Sequence, residues 1–455
     1  MKRYGWLLGC CLFLSIGMLW AADEPDLRML QQKAAQSRDM EGYVGVCKYL
    51  YQTEENPELL LLYADSIHQL ATKSKKPEQL VEYYIWASEG NFIKGDFQQG
   101  YALKRKAIAL AEKAGLKFAI SQSCCDMGYY CNVDARYDSA RYYFRKGLEA
   151  GEDLSEAGEA CRTMLTNYAS SFLFEGKTDS ALVYTIRASE RSAADKDTAM
   201  LIENLNQLGT IYRRKKNLEN CIANFEQALH LCELRGNHNA VAFIYGNIAT
   251  AYCDWNRPVD AIPFSEKAVE YALKTGNKRR IGTCYVNLGA IQIRLVQMRA
   301  EGIATLLKAI PILEEVNDRR LLCDAYNYLV NAYRMDGNLN QAMYYLQKLD
   351  KLAHEMQTDA ERFRYYQAKA GLLQESKNYT EAIVYYRRMI DMLRSGYKDT
   401  RDYEHYKRLA DCYLAVNNSS QAYEYLTQAY ALRDSAFHTE QTEQLSEYSV
   451  KYQTK

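Results

Sequence analysis

The chain has 455 residues, of which 48% are hydrophobic, and its 57 Lys and Arg balance 57 Asp and Glu. A zero formal charge excludes the basic surface of a dedicated nucleic-acid-binding protein, and the hydrophobic fraction excludes a disordered chain. Only 6 prolines occur, so the composition favours helices throughout. We expect an all-α protein that does not bind nucleic acid.

Residues 1–22 have the pattern of a secretory signal peptide, in which two basic residues precede an apolar run and two alanines follow it. The run is short for a membrane span, which needs about 20 residues. Cleavage is therefore favoured over an uncleaved membrane anchor, and a lipoprotein signal ending at Cys10 is a further alternative. We expect an exported mature protein in which residues 23–40 form a lead-in helix.

Two of the 13 cysteines lie in the predicted signal peptide, and the other 11 are scattered along the chain. Cys124 and Cys125 are adjacent, but the sequence has no Cys-x-x-Cys pattern and no histidine at a ligand spacing. We predict buried free thiols that act as small hydrophobic residues. We expect no metal and no cofactor.

A unit of about 40 residues repeats about ten times over residues 41–430. Five columns of the repeat are Leu208, Gly209, Tyr212, Cys221 and Ala228, which recur 40 residues later as Ile248, Ala249, Tyr252, Ala261 and Ala268. In each unit, a small residue followed three positions later by an aromatic one marks a single face of a helix. Helix breakers such as Gly176 separate the two helices of a unit, and others such as Gly236 separate successive units. Because one helix pair cannot bury its apolar faces alone, we predict that the pairs stack as an α-solenoid.

These columns resemble the tetratricopeptide repeat (TPR) family, in which a large and a small residue and then an aromatic one mark the first helix, and two alanines mark the second. The match extends over about residues 40–430 and is similar to the longer-helix branch of the family, because its unit has about 40 residues rather than about 34. The family's tryptophan and terminal proline are mostly missing. The resemblance implies an all-α solenoid of antiparallel helix pairs with a C-terminal capping helix, whose first helices line a concave groove.

No catalytic motif stands out in the sequence. Residues 171–178, SFLFEGKT, imitate the end of a phosphate-binding loop, but Ser171 occupies the place of the required glycine and Gly176 closes a helix in a repeat turn. None of the six histidines forms a metal-binding pair. We therefore predict that the protein is not an enzyme.

Side-chain amides recur at 40-residue spacing just before the large and small pair of the first helix. They are Asn167, Gln207, Asn247 and Asn287. An amide offers a donor and an acceptor together, so a ladder of amides in the groove can pair with the backbone of an extended peptide of any sequence. The alternative is that these amides bond to neighbouring helices and fix the stacking.

Further polar and charged side chains on the same predicted wall extend this candidate groove. They are Asn331, Arg213, Arg214, Asp254, Arg294 and Arg334, together with Asp324. Arginine forks suit carboxylate, phosphate or acidic peptide groups. The alternative is a set of ordinary surface ion pairs, each of which contributes little.

After the last unit, residues 431–455 are predicted to continue as a polar helix without a clear stop signal. This stretch is similar to the one that, in Gram-negative sensor-regulators with a periplasmic TPR ectodomain, leads into a membrane span and an output domain. The alternative is a capping helix that shields the final core.

These features predict an exported, non-enzymatic repeat protein, periplasmic or membrane-associated in a Gram-negative bacterium, that binds a protein or peptide in its concave groove as a scaffold or sensor. One alternative is the ectodomain of a membrane-bound signalling or transcription regulator, attached through the N-terminal segment or through a C-terminal span outside this sequence. The other is an enzyme hosted on the solenoid, which requires a pocket holding a carboxylate or cysteine with a strongly shifted pKa.

Overall fold

A computed structural model describes residues 27–53, 56–356, 358–397, 399 and 402–434. These residues form α-helices joined by short turns, and no strand occurs among them. The predicted signal peptide lies outside the described residues, as does the part of the predicted C-terminal polar or capping helix after Asp434. No helix in the described ranges is both long and apolar enough to cross a membrane.

The described helices belong to two compact units, divided after Gly236. The first unit holds helix α1 (Leu27–Ser37) and five antiparallel pairs: α2 (Met40–Thr53) with α3 (Pro57–Ser74), α4 (Pro77–Lys94) with α5 (Phe97–Ala114), α6 (Lys117–Val133) with α7 (Tyr137–Gly151), α8 (Gly158–Phe174) with α9 (Thr178–Ala194), and α10 (Thr198–Arg214) with α11 (Leu218–Leu234). A single 3-10 turn at Ser155–Ala157 precedes α8.

The second unit holds five further pairs. They are α12 (His238–Asp254) with α13 (Pro258–Thr275), α14 (Lys278–Arg294) with α15 (Arg299–Glu315), α16 (Arg319–Met335) with α17 (Leu339–Leu352), α18 (Asp359–Glu375) with α19 (Tyr379–Arg394), and α20 (Asp402–Ala415) with α21 (residues 419–434). Single 3-10 turns lie at Val296–Met298 and Ala353–Glu355. The all-α solenoid of stacked helix pairs predicted from the repeat is confirmed in each unit.

Local sequence signals explain where the helices turn. The left-handed backbone conformation occurs at Gly95, Gly115, Gly176, Gly236, Gly276, Gly337 and Gly396, and also at Asn256, Asn317 and Asn417. Glycine and asparagine tolerate this conformation best, so they end one helix and allow the chain to reverse. The next helix then often begins with a side-chain cap. Asp197, Asn237, Asn277 and Asp318 each accept a hydrogen bond from the backbone N–H three residues on.

The first helices of successive pairs lie closer together than the second helices do. In the first unit α2 contacts α4, α6 contacts α8 and α8 contacts α10, and in the second unit α12 contacts α14, α14 contacts α16 and α16 contacts α18. No two second helices among the described residues come equally close. The more closely spaced layer of a curved stack is its inner side. The first helices therefore form the inner face of each unit.

The small columns of the repeat lie where paired helices cross. An added Cβ at Gly209 would come within 2.5 Å of the Phe225 ring, and one at Gly289 within 2.7 Å of Leu306 Cγ. Ala181 and Ala228 are fully buried. Ten of the 11 described cysteines are buried as predicted, and the other, Cys253, is half-buried.

Candidate functional site

In the first unit, the predicted amides are used in helix packing. Asn167 of α8 is only 2% exposed, and its backbone carbonyl accepts a 3.0 Å hydrogen bond from Asn132 Nδ2. Gln207 of α10 donates from Nε2 to Ser170 Oγ at 2.7 Å and accepts at Oε1 from Thr185 Oγ1 at 3.1 Å. The expectation that Asn167 faces a ligand is wrong, because the side chain is enclosed. At Gln207 the packing alternative describes the observed bonds.

The predicted arginine pair of α10 lies at the end of the same helix. Arg214 donates from Nη1 to the carbonyl oxygen of Leu173 at 2.7 Å, and this carbonyl belongs to the last turn of α8. Burial and the neighbouring charge of Arg213 lower the pKa of Arg214. This guanidinium therefore caps a neighbouring helix, and it is not arranged as an open anion site.

The first unit also holds a buried ionic cluster, which we define as Lys104, Glu89, Asp126 and Tyr130. Lys104 Nζ of α5 contacts a carboxylate oxygen of Glu89 on α4 and donates to Asp126 Oδ2 on α6 at 2.9 Å, and Tyr130 OH donates to Glu89 Oε2 at 2.6 Å. Burial raises the pKa of Glu89, and Lys104 opposes this shift. Burial alone would lower the pKa of Lys104, but Asp126 and Glu89 raise it.

Sequence reasoning missed this cluster, although a signal was present. Lys104 stands in a column whose next two members, 40 and 80 residues on, are Phe144 and Tyr184. A charged residue in an aromatic column must be paired if it is buried. The side chains of Lys104 and Glu89 are 0% and 3% exposed, so a substrate cannot reach them. The cluster holds three helices together and does not form a catalytic pocket.

In the second unit, a line of side chains on α14 remains accessible. Arg280, Asn287 and Arg294 are seven residues apart and so lie on one stripe of the helix. Arg280 lies over the Phe243 ring of α12 at 5.2 Å, and Arg294 lies beside the Cys253 thiol at the other end of α12. The stripe therefore runs along the inner face beside α12. Asn287 and Arg294 are exposed.

The neighbouring first helices add two further amides to this inner face. Asn247 of α12 is half-buried, and it follows Gly246, where an added Cβ would meet no atom within 4 Å. Asn331 of α16 is half-buried and donates to Asn327 O at 3.0 Å and to Asn327 Oδ1 at 3.1 Å. These hydrogen bonds hold the Asn331 side chain in place while part of it remains accessible.

Two ion pairs cross between α16 and α18 in opposite directions. Arg334 pairs with Glu375, and Arg364 pairs with Asp324 at 2.8 Å. Burial raises the pKa of Asp324, although Arg364 opposes the shift. Arg334 was expected to offer a charge to an anion. That expectation is wrong, since Glu375 of the next pair neutralises the guanidinium.

Tyr328 of α16 was not predicted and lies at the centre of these charges. It is half-buried, and burial and then Asp324 raise the pKa of its hydroxyl, while Arg364 and Arg294 oppose the shift. We define the second-unit strip as Asn247, Asn287, Arg294, Tyr328 and Asn331. Asp254, the last residue of α12, is exposed and has its own interaction at the helix end. The strip presents amides, a guanidinium and a phenol from three adjacent helices.

The strip and the rest of the described residues give no sign of a metal site. No group of three histidine, cysteine, aspartate or glutamate side chains in the described ranges is placed to hold a metal ion.

Comparison with known proteins identifies the repeat. Residues 200–274 match the family model of the tetratricopeptide repeat. A signal transduction ATPase with numerous domains from Pyrococcus horikoshii, described as carrying a tetratricopeptide repeat sensor, has a similar fold with a TM-score of 0.54 and 14% identity, covering 94% of this chain and 69% of that one. No curated protein sequence matches this chain significantly.

Two further solved structures are less similar. The apo form of the quorum sensor NprR from B. thuringiensis has a TM-score of 0.49 and 16% identity, covering 71% of this chain and 92% of that one. A tetratricopeptide repeat protein from Parabacteroides merdae has a TM-score of 0.45 and 15% identity, covering 64% and 98% of the two chains.

Proposed function

We propose that this chain, which is a helical scaffold built of tetratricopeptide repeats, is non-catalytic and binds a protein or an extended peptide along the second-unit strip. The observation that carries the proposal is the contrast between the two units. In the first unit the amide at this column is enclosed or bonded to its neighbours, whereas Asn287 in the second unit is exposed on the inner face.

The chemistry of the strip suits a peptide backbone. A side-chain amide can donate to a peptide carbonyl and accept from a peptide N–H at the same time. Asn247, Asn287 and Asn331 come from three successive first helices, so an extended segment that crosses the helices meets one amide after another. Arg294 adds a donor fork for a carboxylate or a carbonyl.

Selection from a random peptide library displayed on phage tests this proposal. The library is panned on the purified protein after counter-selection on the double variant Asn287→Ala with Arg294→Ala. We expect clones that bind the wild-type protein and the outer-face control Lys308→Ala, an exposed position on the second helix α15, but not the double variant. Clones that bind all three proteins equally, in every round, would contradict the proposal.

We also propose that the protein is exported and acts outside the cytoplasm of a Gram-negative bacterium, as a scaffold or as the ectodomain of a sensor. The support is the sequence pattern of residues 1–22. The test is the intact mass of the protein recovered from a periplasmic extract. A chain that begins at Asp23 is expected, and a full-length chain that remains in the cytoplasmic fraction would contradict export.

A further inference from the structure

The last helix pair leaves an apolar stripe uncovered. In the preceding pair, Tyr386 and Ile390 of α19 are each 1% exposed, since they pack in one core with Leu409 of α20. Forty residues later the same columns hold Leu426, which is half-buried, and Tyr430, which is 49% exposed. Helix α21 therefore has the face that a following first helix covers elsewhere in the unit.

The segment that directly follows α21 has the length of such a helix. Residues 435–455 are 21 residues. Helix α16, a representative first helix, has 17 residues and is preceded by a turn over residues 316–318. A turn and a first helix of these lengths fit within the segment.

The segment also carries the residue pattern of a first helix. In α20, Tyr406, Leu409 and Tyr413 are buried at spacings of three and four residues, and in α16 Tyr326, Leu329 and Tyr333 have the same spacing. The α20 residues recur 39 residues later as Leu445, Tyr448 and Tyr452. The small residue after the central position also recurs, as Ala410 and then Ser449. This is the large and small pair that marks first helices throughout the repeat.

Charge agrees with this register. The ion pairs Arg334 with Glu375 and Arg364 with Asp324 join first helices across 41 and 40 residues. Arg408 is exposed on α20, and 39 residues later in the sequence stands Glu447. In this register Glu447 falls where the earlier helices place the opposite charge.

We propose that residues 435–455 pack against Tyr423, Leu426 and Tyr430 of α21 as an eleventh first helix, which covers the core and extends the inner face by one helix. The occupant is this chain's own segment, because it is attached to the uncovered face, has the required length and repeats the apolar and charge pattern. This inference does not depend on the proposed ligand.

Hydrogen exchange of the full chain, measured by mass spectrometry, tests the inference. Amides within residues 437–452 are expected to exchange at least about tenfold more slowly than in an unfolded chain. Tyr448→Asp should raise exchange both in the segment and in residues 419–434. The matched control is Val450→Asp, because Val450 falls in the column of the exposed Asp411 and should leave both regions unchanged.

Two results would overturn the inference. One is exchange of residues 437–452 at the unfolded rate in the wild-type chain. The other is protection that disappears on dilution together with a fall from dimer to monomer in sedimentation, which would assign the uncovered face to a second copy of the chain.

Discussion

At the residue scale, the charge of Lys104 is tied to the stability of the first unit. Lys104→Met removes the cation and leaves the Glu89 carboxylate buried without it, with Asp126 partly buried beside it. Breaking a buried ion pair in this way costs about 3–5 kcal/mol. We expect urea unfolding, followed by circular dichroism, to show a loss of this size in the first unit.

The control for this substitution lies two residues away. Lys106 is exposed on the same helix, with Nζ over the Tyr84 ring at 5.9 Å, so Lys106→Met should change the free energy of unfolding by no more than about 0.5 kcal/mol. Equal effects of the two substitutions would show that the buried pairing of Lys104 does not stabilise the fold.

Thiol reactivity should single out one cysteine. Burial raises the pKa of Cys47, Cys124 and Cys232 to about 12, so these thiols stay protonated at pH 8 and lie out of reach of reagents. Cys253 is half-buried beside Arg294, which opposes the rise that burial imposes on its pKa. In the chain without residues 1–22, we expect Cys253 to react first with a thiol reagent.

The kinetics of labelling in native protein check this expectation. Cys253→Ser should remove the fastest phase, and Cys232→Ser should leave it intact. A fastest phase that survives Cys253→Ser would assign it to another thiol and contradict the described burial.

At the element scale, the crossing of α14 and α15 depends on two glycines. A Cβ at Gly289 would lie 2.7 Å from Leu306 Cγ and 3.0 Å from the backbone oxygen of Gly302. Overpacking costs about 1–3 kcal/mol, against a gain of about 1 kcal/mol in helix propensity. Gly289→Ala should therefore lower the free energy of unfolding of the second unit by about 1 kcal/mol.

Gly246→Ala is the matched control in the same unit, because a Cβ there meets no atom within 4 Å. It should raise the free energy of unfolding by up to about 1 kcal/mol through helix propensity alone. Thermal denaturation of both variants decides the matter. The same sign of shift for both would mean that close helix approach does not limit Gly289.

Much of the element-level structure could be predicted from the sequence. Gly176 and Gly236 reverse the chain where the repeat places breakers, because their backbone conformation is a local property. The site was less predictable. Asn167 and Asn287 occupy one column, yet one is enclosed and the other exposed, because exposure depends on how neighbouring helices pack. A column in a repeat therefore predicts which face a side chain occupies, but not whether that side chain is accessible.

At the scale of the whole molecule, each helix pair is stabilised mainly by its neighbours, as in other repeat proteins. A local defect should therefore have a local effect. We expect Lys104→Met to accelerate amide exchange within residues 27–236, while the slowest amides of residues 237–434 change by less than about twofold. Mass spectrometry of peptides from both units measures this. Acceleration of equal size in both units would show that the whole chain unfolds as one cooperative body.

The central claim concerns the amides of the second-unit strip, which we propose pair with a peptide backbone. Isothermal titration of a peptide selected on the wild-type protein, against the double variant Asn247→Ala with Asn287→Ala, tests it most directly. Loss of two hydrogen bonds of about 1 kcal/mol each should raise Kd by at least about tenfold, while the Tm falls little. An unchanged Kd together with a large fall in Tm would assign these amides to helix packing and contradict the account.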